Sequence, residues 1–321
     1  MKRLLLVGLG RFGQNHLRVL SGLGVPLGLV DVDQDALEKG RRLVPDARCS
    51  RTLAPLLEDA FAANIVVPLP LHAPLATECL EAGLAVFCEK PLAATTEEAR
   101  AVATLARERR AVLQTGFVFR YHPAWRTALG LVREGAIGRP HTLRARFTGF
   151  KRPRTDGGCA TNDAIHFADL AAVLFEKPPV SALGVTRDFL GTGREDTAFL
   201  ALDFEQGELC HIEASYHAPG RARELLVVGD RGSIAVDFDA REKPVTLHRQ
   251  SHSSPSAEPE SPPVEPGEPL ALELEDFLEN ARRGRCPAAD GWAGAQAVAA
   301  IEAALVSARE GRMVPVPRVA P

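Results

Sequence analysis

Leu4-Leu5-Leu6-Val7-Gly8-Leu9-Gly10-Arg11-Phe12-Gly13-Gln14-Asn15-His16 carries the architecture of the first third of this chain. An unbroken apolar run leads straight into G-x-G-x-x-G and then into a helical pattern, which reads as a strand buried on both faces, a tight turn and a helix. The first glycine permits the turn, the second lets a pyrophosphate approach the backbone, and the third allows close helix-sheet packing. The helix N-terminus adds amide donors and positive potential. Gly8, Gly10, Arg11, Phe12 and Gly13 are therefore candidate dinucleotide contacts. About 20 residues on, the second strand ends at Val30-Asp31-Val32-Asp33, where Asp31 and Asp33 can accept hydrogen bonds from the adenosine ribose. At least one of them also serves as turn or helix cap. NAD is favoured over NADP, because a 2'-phosphate would meet these carboxylates and no arginine follows closely to receive it.

Short apolar runs at Leu4–Val7, Leu27–Val30, Ile65–Val67, Ala85–Cys88 and Val112–Thr115 predict parallel strands. Helical patterns at Gln14–Leu23, Gln34–Leu43, Leu75–Ala82 and Glu97–Arg109 lie between them, the last behind a Thr95-x-x-Glu98 capping box. This alternation predicts a doubly wound α/β domain over 1–119. After Arg120 the runs alternate apolar and polar residues (His141–Phe147, Ala198–Phe204, Leu209–Tyr216, Glu224–Val228, Ser233–Phe238), the pattern of an antiparallel sheet with one covered face. A second, α+β domain is expected over 120–321. Within it 250–269 is rich in serine, proline and glutamate and reads as a flexible loop. Helices at Leu270–Arg283 and Ala293–Arg309 and a short strand at Met313–Val316 complete the prediction.

The 321 residues, 45% hydrophobic and 25% charged, suffice for two globular domains. A net charge of -3 with scattered signs leaves no basic footprint for nucleic acid. The N-terminal apolar run is too short for a signal peptide, and no run approaches the roughly 20 apolar residues of a membrane span. A cytoplasmic protein is expected. Six scattered cysteines lack zinc-site spacing, so reduced thiols and no metal are expected.

Lys90 stands out in a chain that otherwise relies on arginine, because Glu89-Lys90-Pro91 ends the apolar run Leu84–Cys88 downstream of the phosphate signature. With Gly8–His16, Pro68-Leu69-Pro70-Leu71-His72, Arg120-Tyr121-His122-Pro123, and Gly157-Gly158 leading to His166 and Asp169, the whole chain resembles the glucose-fructose oxidoreductase, inositol dehydrogenase and rhizopine-catabolism family. The resemblance implies a Rossmann domain plus a domain built on a large, open, mostly antiparallel sheet. It implies hydride transfer between a nicotinamide cofactor and a secondary alcohol or ketone of a sugar, cyclitol or nucleotide sugar. It also implies a cis Lys90-Pro91 bond, and pairing through the exposed sheet face into a homodimer or homotetramer.

Carried onto this sequence, the family's catalytic pair is Lys90, hydrogen-bonded to the reacting oxygen, and His166, the proton acceptor or donor. Leu69, His72 and Glu89 fall on the cofactor side, with His72 alternatively capping a helix that begins at Pro74. Arg120, Tyr121 and His122 are substrate-side contacts or packing between the domains, and Asp169 docks its helix. The chain departs from the family pattern at Asn162, where aspartate is usual, with Asp163 next to it. On an α-helix these are the i-4 and i-3 neighbours of His166, and either can share its face. Two rival readings stand beside the NAD-dependent enzyme: a sugar oxidoreductase using NADP or a tightly held cofactor, and an NAD(H)-binding sensor or scaffold without catalysis.

Overall fold

The computed structural model describes residues 2–151, 155–249 and 258–319. In chain order the first elements are β1 (Arg3–Val7), α1 (Arg11–Gly22), β2 (Leu27–Val30), α2 (Gln34–Leu43), β3 (Arg48–Ser50), β4 (Ala60–Ile65), α3 (His72–Glu81), β5 (Ala85–Glu89), α4 (Thr96–Glu108) and β6 (Leu113–Gly116). Next come α5 (Pro123–Arg133), β7 (Pro140–Thr148), a π-helical turn (Ala160–Ala164) running into α6 (Ile165–Phe175), β8 (Ser181–Arg187), β9 (Thr197–Asp203), β10 (Leu209–Ser215), β11 (Ala222–Gly229), β12 (Gly232–Asp237) and β13 (Val245–His248). The chain ends with α7 (Pro269–Arg283), α8 (Gly291–Glu310) and β14 (Val314–Pro315). It forms two compact units, one of Met1–Val118, Leu270–Ala295 and Val319–Pro321, the other of Phe119–Pro269 and Gln296–Arg318.

The first unit holds a six-stranded sheet in the order β3-β2-β1-β4-β5-β6. Every pairing is parallel, and the order reverses between β1 and β4, the switch point where such sheets bind ligands beyond their strand ends. Burial of Leu4, Leu5, Leu6, Leu27 and Leu29 explains their unbroken apolarity. The capping box is present: Thr95 Oγ1 accepts from the Glu98 amide at 3.2 Å, and Glu98 Oε2 accepts from the Thr95 amide. The strand expected at Ile65–Val67 is Ala60–Ile65 instead. Its alanines and Asn64 mask the pattern, but its register against β1 (Leu4↔Ala62 to Val7↔Ile65) buries it completely beyond Phe61. β3 escapes sequence reading because it is three polar-rich residues at the sheet edge.

A division at residue 119 assigns 270–295 to the second domain, yet this segment belongs to the first unit. Leu270, Leu274, Phe277 and Leu278 of α7 join the core of Leu4, Leu6, Leu27 and Phe87. The Phe87 and Phe277 rings meet edge to face, 5.6 Å between centroids.

The second unit is an eight-stranded sheet ordered β13-β12-β11-β7-β10-β9-β8-β14, antiparallel except where β7 and β10 run in parallel. Its inner face buries Leu200, Ile212, Ala145, Leu225 and Ile234. At Gly184 a Cβ would overlap the Ala304 carbonyl, so β8 and α8 approach with backbones nearly touching, and Ser307 Oγ accepts from the Gly184 amide at 3.0 Å. By length and hydropathy α8 reaches the membrane-spanning range, but 67% of that stretch is buried, the state of a core helix. Strands β8 and β13 and helix α5 add to the elements expected from sequence. Of the expected loop, 250–257 lies outside the described residues.

Phe277→Ala is expected to destabilise the protein by about 3–5 kcal/mol, the usual result of emptying a fully buried phenylalanine site, measured as a loss in urea denaturation.

Candidate functional site

Each glycine of the first turn has a distinct physical role. Gly8 takes φ +95°, and a Cβ there would overlap the Val66 carbonyl. A Cβ at Gly13 would overlap the Gly8 carbonyl, so α1 starts directly against the end of β1. Around Gly10 no other atom of the described residues would come within 4 Å of such a Cβ. Gly10 precedes α1 without a side-chain cap, leaving the first amides of the helix facing open space. Arg11 and Phe12 are exposed beside them. An anionic pyrophosphate fits this cradle by charge and by room.

Asp31 lies just past β2, and its carboxylate accepts from the Leu9 amide at 2.6 Å and the Asp33 amide at 2.9 Å. It thus fixes the glycine turn while keeping lone pairs for a ribose. Asp33 caps α2 through the Asp35 amide at 2.9 Å. The cap duty expected of one acid belongs to Asp33.

Beyond β4, Leu69 is buried in a single helical turn, and α3 begins at His72, two residues before the expected Pro74. The His72 ring, 2% exposed, lies between two carbonyls, Nδ1 at 2.6 Å from Pro91 and Nε2 at 2.8 Å from Val67. His72 therefore ties the β4 exit to the turn after Lys90. That turn contains the cis Lys90-Pro91 bond, as expected. Glu89 is buried and Lys90 partly exposed, and Glu89 Oε2 accepts from the Lys90 amide at 3.2 Å.

In the second unit His166 is the second residue of α6, 6% exposed. Its ring stacks on Phe119 (centroids 4.7 Å apart, planes 23°) and lies parallel to Phe147 at 6.2 Å. Asn162 and Asp163 occupy the π turn, so the α-helical i-4 and i-3 spacing does not apply, because π winding takes more residues per turn. Asn162 Nδ2 donates to the Gly158 carbonyl at 3.1 Å, and the missing Cβ of Gly157 makes room for it. Asp163 Oδ2 receives Lys151 Nζ at 2.5 Å. That ammonium lies 3.8 Å from the Phe147 ring centre. Burial pulls the Lys151 amine below its usual range, against the upward pull of Asp163.

Arg120 grips Asp169 in a bidentate pair, 2.7 Å from Nε and 2.5 Å from Nη2. Burial pushes the Asp169 carboxyl up, and Arg120 opposes it. Asp169 thus docks α6, as expected. His122 caps α5 through the Ala124 amide at 3.3 Å and meets Phe238 edge to face. Burial lowers its basicity. Tyr121 is half-buried beside it.

Sequence reading missed Glu195. Its carboxylate accepts from the Ala160 amide at the head of the π turn and occupies the space a Cβ on Gly158 would take. The pair Gly157-Gly158 was the only signal. Lys151, the partner of Asp163, is followed by Arg152, Pro153 and Arg154, which lie outside the described residues.

A parallel sheet with a phosphate cradle at its switch point, joined in one chain to an open sheet carrying a buried histidine, defines a two-part dinucleotide-binding oxidoreductase. Residues 2–117 match the family described as "Oxidoreductase family, NAD-binding Rossmann fold", and 130–317 match its "C-terminal alpha/beta domain". The chain belongs to this glucose-fructose oxidoreductase, inositol dehydrogenase and MocA family, and its cofactor is NAD. It is 28% identical to UDP-N-acetylglucosamine 3-dehydrogenase of Acidithiobacillus ferrooxidans, covering 92% of this chain and 93% of that one. It is 29% identical to inositol 2-dehydrogenase 2 of Saccharopolyspora erythraea, covering 97% and 94%. The crystal structure of a probable dehydrogenase from Thermotoga maritima superposes with a TM-score of 0.84 at 26% identity, covering 98% and 99%. These likenesses give no support to the NADP-dependent, captive-cofactor or non-catalytic readings.

Gly10→Ala should leave the melting temperature nearly unchanged, since its Cβ meets no further atom of the described residues, while weakening NADH at least about tenfold by filling the ligand's approach to the backbone. Nucleotide fluorescence titration beside a thermal melt checks both halves.

Proposed function

We propose that this protein oxidises a secondary alcohol of a sugar, cyclitol or nucleotide sugar, or reduces the matching ketone, with Lys90 and His166 as its catalytic residues. The observation that carries this is His166 itself: a buried imidazole at the head of α6, stacked on Phe119 with Phe147 nearly parallel beside both rings, in a chain whose other unit sets Lys90 at the end of β5. The substrate class follows from the relatives, one named for a nucleotide sugar and one for inositol.

NAD, when bound, supplies the hydride acceptor. Everything else falls to the protein. As the carbonyl forms, the hydroxyl proton has to leave, and His166 takes it. Lys90 donates a hydrogen bond to the same oxygen and stabilises the negative charge developing there. Asn162 and Asp163 bind a neighbouring hydroxyl or orient His166, with Lys151 balancing the Asp163 charge. Arg120, Tyr121 and His122 line the substrate side, and the Arg120–Asp169 pair fixes the helix that bears His166. Gly8, Gly10, Arg11, Phe12 and Gly13 hold the pyrophosphate, Asp31 the adenosine ribose, and Leu69 and Glu89 the cofactor's other half.

The working form is a homodimer or homotetramer in the cytoplasm. Support for pairing comes from the outer sheet face, where Val185, Phe199, Glu213, Arg146 and Glu224 stand side by side across five strands. Val185 and Phe199 are 48% and 45% exposed, next to the Arg146–Glu213 and Arg146–Glu224 ion pairs. Apolar residues around a self-complementary charge row suit a second copy of this chain. All six cysteines are free thiols, and burial pushes that of Cys79 up to about 12, as suits a reducing compartment.

On a panel of polyols and nucleotide sugars with NAD, Lys90→Met and His166→Ala are each expected to cut turnover at least about a hundredfold. Near-normal rates in both would remove this mechanism. In sedimentation velocity the wild type should run as a dimer or tetramer, and Phe199→Arg as a smaller species. A monomeric wild type at micromolar concentration would rule out the pairing.

A further inference from the structure

His16 is singled out by the sequence and has no part in the mechanism above. It lies on α1, six residues after Gly10, and is fully buried. Its Nδ1 is 3.0 Å from Asn64 Nδ2 on β4. An amide nitrogen only donates, so Nδ1 accepts and the ring proton resides on Nε2. Nε2 faces Glu89 Oε1 at 3.2 Å, across the end of β5. The other carboxylate oxygen, Oε2, accepts from the Lys90 amide. The exposed ring of Phe12, inside the glycine turn, meets the His16 ring edge to face at 5.1 Å. Even β6 is shaped around this carboxylate, since a Cβ at Gly116 would stand 2.9 Å from Glu89 Oε1.

We propose that His16 is a positioning residue: it sets the Glu89 carboxylate, and through it the Lys90 backbone, relative to the phosphate cradle. One imidazole thereby joins three segments that have to agree in place for a dinucleotide to lie with its nicotinamide end at Lys90. They are the glycine turn through Phe12, the β4 end through Asn64 and the β5 end through Glu89. A hydrophobic residue of similar size would fill the space but replace the 3.2 Å polar contact on Glu89 Oε1 with carbon, and the carboxylate would turn away. The inference rests on NAD as the cofactor and on Glu89 facing its nicotinamide half.

The test separates the two ends of the ligand. NADH and ADP are titrated against the wild type, His16→Leu and His16→Gln, NADH by its fluorescence and ADP by calorimetry. His16→Leu is expected to raise the Kd for NADH at least about tenfold, about 1.4 kcal/mol, while the Kd for ADP stays within about twofold. In His16→Gln the side-chain amide can accept from Asn64 and donate to Glu89, so NADH affinity should return to within about threefold of the wild type. Adding His16→Leu to Glu89→Gln should cost nothing beyond Glu89→Gln alone. Equal weakening of NADH and ADP would mean that His16 only packs the cradle, and an unchanged Kd for both would mean that it does neither. Each result overturns the proposal. Should His16→Leu not fold, Asn64→Ala takes its place, with a selective loss of NADH affinity expected and an equal or absent loss overturning. A wild type that binds ADP but gains nothing from the nicotinamide half would overturn the cofactor reading of Glu89, whereas a wild type that prefers NADH alongside indifferent variants overturns the role of His16 alone.

Discussion

The distance between α1 and the end of β1 constrains the whole first unit. A Cβ on Gly13 would overlap the Gly8 carbonyl, and one on Gly8 would overlap the Val66 carbonyl, so helix, turn and the β4 exit are packed backbone to backbone. Only at that separation do the uncapped first amides of α1 face the space beyond the sheet. Asp31 then holds the turn by accepting from the Leu9 amide, and His16, one turn along the same helix, comes within reach of Asn64 and Glu89. The shape of the glycine turn and the reach of His16 to Asn64 and Glu89 therefore share one cause, the absence of side chains at two positions.

The second unit solves a different problem, that of holding an imidazole still. α6 is buried almost throughout and held to the helical turn before α5 by the bidentate Arg120–Asp169 pair. Glu195 accepts from the Ala160 amide at the head of the π turn, and the His166 ring stacks on Phe119, which in turn stacks on Phe238, with Phe147 nearly parallel and Phe167 tilted beside them. Gly157 and Gly158 are small because Asn162 and Glu195 fill the space their side chains would need. A rigid shell of this kind suits the proton transfer proposed for His166, since small displacements of a catalytic atom carry large rate penalties.

Elements with a clean period were legible in the sequence. β1, β2 and β5 announced themselves by unbroken apolarity, α4 by its capping box, and β9 to β12 by alternation. β4 was placed too late because Ala60, Ala62, Ala63 and Asn64 carry little strand propensity, and what makes them a strand is the register with β1. α7 was read as a helix but given to the wrong neighbour, since amphipathicity reveals a buried face without saying what covers it. The cradle glycines, the acid after β2 and the Lys90 motif were legible because backbone geometry and charge restrict those positions to few residue types.

The sequence by itself determined a Rossmann α/β unit followed by an α+β unit with a mostly antiparallel sheet, the glycine turn at Gly8–Gly13, and the motifs that carry Lys90 and His166. These depend on local rules: strand and helix periods, glycine conformations and the spacing of short motifs. Only the tertiary structure decided the partners of the polar side chains. His72 lies between two carbonyls, Asp163 engages Lys151, Asn162 turns to Gly158, and His16 bridges Asn64 and Glu89. Most of these partners come from a different secondary-structure element. A buried polar atom takes whatever donor or acceptor the packing brings within about 3 Å, and packing, unlike periodicity, is a property of the whole folded unit.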